Sequence, residues 1–139
     1  MTPESDGLGA GPRSLPLILA RELASNLATP MFLLDEVGTL VFYNEAAEVM
    51  LGKTYAEVGG VSANDFGDML KLKDLDGSPL RKRDSPPGMA FLQGLPAHRR
   101  LIATALDGNE RALEVTAYPL FGRTGEMHGV LTVFWEATA

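Results

Sequence analysis

The side chains available for chemistry in this chain of 139 residues are two histidines, eighteen carboxylates and no cysteine. Without thiols there can be no disulfide, thiolate metal site, cysteine nucleophile or covalent cysteine adduct to a cofactor. An enzyme would need a nucleophile beside a base, or two carboxylates held in different environments. Asp35, Asp76 and Asp107 instead stand just before turn glycines, where short acidic side chains serve the backbone. Glu45, Glu48, Glu57, Glu110 and Glu114 fall on the polar sides of helix-like and strand-like runs. No catalytic residue is assigned, and the chain reads as one that binds. His98 and His128 sit on strand-like runs with no ligand cluster around them, so no metal site is assigned either.

Two short basic runs, Arg81-Lys82-Arg83 and His98-Arg99-Arg100, could in principle meet phosphates. Neither has interleaved aromatics, and a net charge of −6 repels nucleic acid on average. Both read as solvated surface, and no nucleic-acid partner is expected. The longest apolar run is about ten residues, half the ~20 a membrane helix needs, and no basic leader precedes it. No membrane association is expected, and the location inferred is cytoplasmic.

The elements that must position these side chains follow a simple order. Residues 1–14 hold three Gly, two Pro and two acidic side chains and read as a disordered tail. Leu15, Leu19, Leu23 and Leu27 recur every four residues, with Ile18 beside them, predicting an amphipathic helix over 15–28 that ends before Pro30. Two apolar runs, 31–34 and 40–43, flank a turn containing Gly38 and predict a β-hairpin. Asn44 is placed to cap a helix over 45–51 that Gly52 closes. Short helices are expected over 55–58 behind Thr54, over 63–70, and from Pro86-Pro87 to Gly94. Runs 99–106, 111–120 and 127–135 then predict three antiparallel strands. In the middle one, Leu113, Val115 and Ala117 alternate with Glu114, Thr116 and Tyr118. The result is an α+β domain over 29–139, a five-stranded antiparallel sheet with short helices on one face and a flanking N-terminal helix.

In this order and spacing, Asp35-x-x-Gly38, Asn44 before Ala46-Ala47, Leu51-Gly52, Asp76-Gly77-x-x-Leu80, Leu92-x-Gly94 and Pro119-Leu120 with Gly125 and Gly129 resemble the PAS family of sensory and interaction domains. The resemblance covers nearly the whole chain from Leu15. It implies a curved sheet whose concave face, closed by the short helices, holds a small molecule or a packed core. In haem-holding members a histidine commonly ligates the iron from the helix that here covers 87–93. That helix has none, so histidine-ligated haem is not expected. The flavin-binding light sensors use a cysteine, and the cysteine-adduct photocycle is excluded. An apolar small molecule is the expected guest. Met50, Phe66, Met69, Leu70, Gly88, Met89, Phe91, Leu92, Leu113 and Val115 form its expected lining, with the methionines supplying adaptable surface and Gly88 leaving room. Leu15, Ile18, Leu19 and Leu23 form the expected homodimer interface, and a downstream signalling protein is a further expected partner. The alternative is a constitutive dimerisation module with nothing bound inside.

Overall fold

The computed structural model describes residues 15–25 and 27–138; the expected tail, residues 1–14, lies outside the described residues. The elements are α1 (Leu15–Ser25), β1 (Met31–Asp35), β2 (Leu40–Tyr43), α2 (Glu45–Leu51), α3 (Tyr55–Val58), α4 (Ala63–Leu70), a 3-10 turn (Lys82–Asp84), α5 (Pro86–Gln93), β3 (Ala97–Thr104), β4 (Glu110–Phe121) and β5 (Met127–Glu136). The five strands form one antiparallel sheet in the order β2-β1-β5-β4-β3. The last three strands make a meander, and β5 closes back on β1, pairing Met31 with Val133 and Asp35 with Gly129. Among the described residues, no helix is long and apolar enough to cross a membrane.

Local chemistry sets most of these boundaries. The Asn44 Oδ1 accepts from the Ala47 N–H at 3.0 Å, capping α2, and from the Met31 N–H at 3.1 Å. Its Nδ2 donates to the Thr29 carbonyl at 2.9 Å and the Leu27 carbonyl at 3.4 Å. One buried amide therefore fixes the approach to β1, the start of β1 and the start of α2. At the other end of α2, Gly52 takes φ 86°, a left-handed conformation that costs an L side chain about 1 kcal/mol. Thr54 and Glu57 make a reciprocal capping box on α3, and Ser62 caps α4.

The largest boundary differences from the sequence reading lie at α1 and β3, the other strands differing by at most one residue at an end. Helix α1 is described over Leu15–Ser25 and does not include residues 27 and 28, and the Leu27 and Thr29 carbonyls go to Asn44. Strand β3 begins at Ala97 and ends at Thr104, two residues early at each end. Ala105 N–H already closes the turn onto the Asn109 carbonyl, and Leu106 N–H turns to the Leu51 carbonyl of α2. The 3-10 turn at Lys82–Asp84 was not anticipated from the sequence.

Period-two alternation divides the sheet residues between two cores. The inner face, with Phe32, Leu34, Leu101, Ala103, Leu113, Val115, Ala117, Val130 and Phe134, packs under Ala47, Leu51, Phe66, Leu70 and Ala90 from the helices. The opposite face, with Leu33 and Val41, packs against Leu17 and Ala20 of α1. Arg21 adds a cation–π contact, its guanidinium carbon 4.8 Å from the Phe42 ring centre. The four-residue leucine stripe is therefore not the docked side of α1. Leu17 is 3% exposed, while Leu15, Ile18, Leu19 and Leu23 are 65, 44, 58 and 52% exposed.

Candidate ligand cavity

The inner face is unevenly filled. At the α2–α3 end an aromatic group closes the space: Phe32 meets Phe66 edge-on at 5.3 Å, and Tyr43 meets Tyr55 edge-on at 5.6 Å. The Tyr43 hydroxyl donates to the Lys53 carbonyl at 2.6 Å. Burial, followed by the charges of Glu48 and Glu57, pushes its phenol up to about 12, so it stays protonated and structural. Toward β3 and β4 the packing opens into a cavity of about 350 Å³, near the lower end of the ~300–1,000 Å³ typical of small-molecule sites.

Its floor is the inward side of the sheet: Phe32 and Leu34 of β1, Leu101 and Ala103 of β3, Leu113 and Val115 of β4, and Phe134 of β5. Its roof is Phe66, Gly67 and Leu70 of α4 with Pro87, Gly88, Phe91 and Leu92 of α5, and Leu51 at the end of α2 closes one side. The exposed lining residues Val37, Ser62, Asn64, Arg83 and Leu92 mark the opening, which lies between the β1–β2 turn, the start of α4 and the 3-10 turn.

Seven of the residues expected from sequence come together here: Phe66, Leu70, Gly88, Phe91, Leu92, Leu113 and Val115. Met50, Met69 and Met89 do not line the cavity. Phe66 and Leu70 share one face of α4 at i,i+4, so Met69 is turned about 100° away from Leu70 and lies exposed. On α5 the inward residues Pro87, Gly88, Phe91 and Leu92 leave half-buried Met89 on another side, and Met50 packs at the margin of the inner core. The guest-sized space is thus lined mainly by Phe, Leu, Val and Ala rather than by Met.

Gly88 is small for a different reason from the one expected. A Cβ on it would stand 2.1 Å from the Lys82 carbonyl oxygen and 3.0 Å from the Arg83 Cα. The residue lets α5 approach the 3-10 turn, whose carbonyl also receives the Ser85 hydroxyl at 2.6 Å. The glycine sets the position of the roof.

The first basic run, read from sequence as solvated surface, sits partly on this opening. Arg81 pairs with Asp84 at 2.8 Å; Lys82 crosses Gly67 of α4, and its Nζ reaches Asp68 at 2.6 Å. Lys82 and Arg83 both line the cavity, and among the described residues no carboxylate does. Sequence could not have separated them from ordinary surface cations, because their placement depends on the 3-10 turn. The second run does not line the cavity and is tied to acids: His98 and Arg100 both bond Glu114, and Arg99 pairs with Asp74 at 2.8 Å. His128 bonds Glu126 at 2.9 Å. Among the described residues no group of His, Asp and Glu comes together as a metal site.

The comparisons agree with this architecture. A family model described as the PAS fold matches residues 24–139. No curated protein sequence matches the chain. Among solved structures, the Rhodobacter sphaeroides LOV protein is similar with a TM-score of 0.71 at 16% identity, over 90% of this chain and 69% of that one. The PAS domain of Bordetella pertussis BvgS is similar with a TM-score of 0.60 at 18% identity, over 88% and 86%. The light-state dimer of the fungal blue-light photoreceptor Vivid is similar with a TM-score of 0.64 at 15% identity, over 95% and 99%. With its strand order, its helix-covered inner face and a family match over most of its length, the chain belongs to the PAS fold family of sensory and signalling modules.

Proposed function

We propose that this domain is a non-enzymatic sensor that takes a small apolar molecule into the cavity between the sheet and helices α4 and α5. The carrying observation is the cavity itself. It is apolar on floor and roof, opens on one side, and borders a close-packed aromatic group, where interiors normally leave no guest-sized space. Occupancy would be felt where α5 rests on the 3-10 turn and on β3, β4 and β5, so a ligand that prefers one setting of this roof shifts a population between two. Thermal melts against a graded set of apolar molecules test the reading. A ligand at a hundred times its Kd adds about 2.7 kcal/mol, several degrees in a domain of this size. Unchanged melting across the set, together with clean solvent extracts of denatured protein, would count against it.

A second reading has its own support. The outward side of α1 presents Leu15, Ile18, Leu19 and Leu23 to solvent, an apolar stripe that a second copy can cover. The similar Vivid structure is described as a dimer. On this reading the domain dimerises through α1 whether or not the cavity is filled, and a downstream signalling protein reads the dimer. Sedimentation separates the possibilities: a dimer that Leu19→Glu dissociates supports it, and a monomeric wild type at micromolar concentration removes it.

A further inference from the structure

We infer that the cavity takes an amphipathic monoanion, an acyl or arylalkyl carboxylate, with its carboxylate on Arg83 and its apolar part against Leu101, Leu113 and Val115. This deepens the proposed ligand reading and rests on it.

Among the described residues the cavity lining contains two cations and no anion, although the chain as a whole carries a net charge of −6. Most polar groups at the opening are already engaged. The Lys82 Nζ is held by Asp68 at 2.6 Å. The Ser62 hydroxyl caps α4 at the Asp65 N–H, and the Ser85 hydroxyl donates to the Lys82 carbonyl. Arg83 and Asn64 remain: both are exposed at the opening, and among the described residues neither side chain has a hydrogen bond or ion pair. Every other arginine of the two basic runs has a carboxylate partner, at 2.6 to 2.8 Å. Among the described residues Arg83 is therefore a guanidinium without a counter-ion, placed where an apolar chamber meets water.

A guanidinium presents a planar fork that matches a carboxylate with two parallel N–H···O bonds. A single free guanidinium balances one negative charge, which favours a monoanion over a dianion. Its position at the opening keeps the charged head partly hydrated, so no ion is buried unpaired, while the tail occupies the dry interior. The Asn64 amide stands at the same opening and can donate to the second face of the head group. At the ~30 Å³ per water in the liquid, 350 Å³ accommodates about a dozen non-hydrogen atoms, the size of a medium-length acyl carboxylate.

Calorimetric or melting titrations with two probes test this, decanoate and decan-1-ol, on the wild type and on Arg83→Gln. The inference predicts at least tenfold tighter binding of decanoate than of decan-1-ol by the wild type. It also predicts a matching loss for decanoate in Arg83→Gln, with decan-1-ol unaffected, and weaker decanoate binding at high salt. Retained alcohol binding shows that the variant is folded. If both probes bind the wild type equally and Arg83→Gln changes neither, the anion inference falls and the apolar-ligand reading stands. If neither probe binds, both fall.

Discussion

The two faces of the sheet meet the demands of burial in opposite ways. On the inner face, helices α2 to α5 cover the strands generously, yet the side chains beneath them stop short and leave about 350 Å³ unfilled between α4, α5 and the β3–β4 half of the sheet. On the outer face a single helix, α1, docks mainly through Leu17 and Ala20, and then turns a second apolar side to solvent. One face has more space than side chain; the other has more apolar surface than cover. A stable packed core needs neither feature, and each is the type of departure from tight packing at which a sensory module would meet something outside its own chain.

Substitutions that separate structural residues from these two features sharpen the contrast. The largest loss is expected at neither feature but at the joint that serves both. Asn44→Ala removes four hydrogen bonds from a buried site and leaves backbone groups of β1 and α2 unpaired, which should cost about 3 kcal/mol in urea unfolding. On α1, Leu17→Ala should cost about 2–3 kcal/mol, because a buried leucine is truncated. Leu19→Ala, two residues away on the same helix, should stay within about 0.5 kcal/mol for the isolated protomer. Equal losses at the two leucines would mean that the stripe is covered within the protomer. In the roof, Gly88→Ala drives a methyl into the Lys82 carbonyl and should cost about 2 kcal/mol, with the ligand response reduced as α5 shifts; a neutral result would show that the approach of α5 to the 3-10 turn is not tight.

The smallest effect is electrostatic. Bonds from Thr124, from its own backbone and from His128 hold the Glu126 carboxyl down to about 2, against an ordinary value of 4.5. Hydrogen bonds from Arg100 and then His98 lower Glu114. Lowered folded-state values stabilise the fold above pH 4.5, and that contribution is lost as pH falls toward 2. Because the Glu126 carboxylate is solvated, Glu126→Gln should flatten the acid limb of a pH–stability curve only slightly, and a large flattening would contradict this picture.

The sequence legibility of this domain follows the range of the interactions involved. Turns and caps are local, so Asn44, Gly52, Thr54 and Gly94 mark helix ends that the structure places where they were expected. Asn44 also does more than its cap signal indicates, because the partners of its amide lie at Leu27, Thr29 and Met31. The direction in which α1 docks was not legible. Leu17 and Ala20 lie between the members of a longer leucine stripe, and a helix apolar on two sides carries no periodic signal for which side meets the sheet. Among the cavity residues, the alternation of β4 correctly placed Leu113 and Val115 on the inner side. The methionines are expected in the lining for their adaptable side chains near the short helices; none of the three lines the cavity, and helix geometry turns Met69 to solvent. Lys82 and Arg83 reach the opening only because Pro86 and Gly88 let α5 fold closely onto the 3-10 turn, a contact that no spacing rule encodes.

The central claim is that the inner cavity is a site rather than a packing defect. Native mass spectrometry of freshly purified wild type, run beside Ala103→Phe, tests it most directly, since a phenylalanine at Ala103 projects from β3 into the empty space. If the cavity is a site, the wild type carries a bound small molecule, or takes up decanoate with one-to-one stoichiometry per protomer, and the variant does neither while remaining folded. Equal and unliganded spectra for both proteins in the presence of the probe would contradict it.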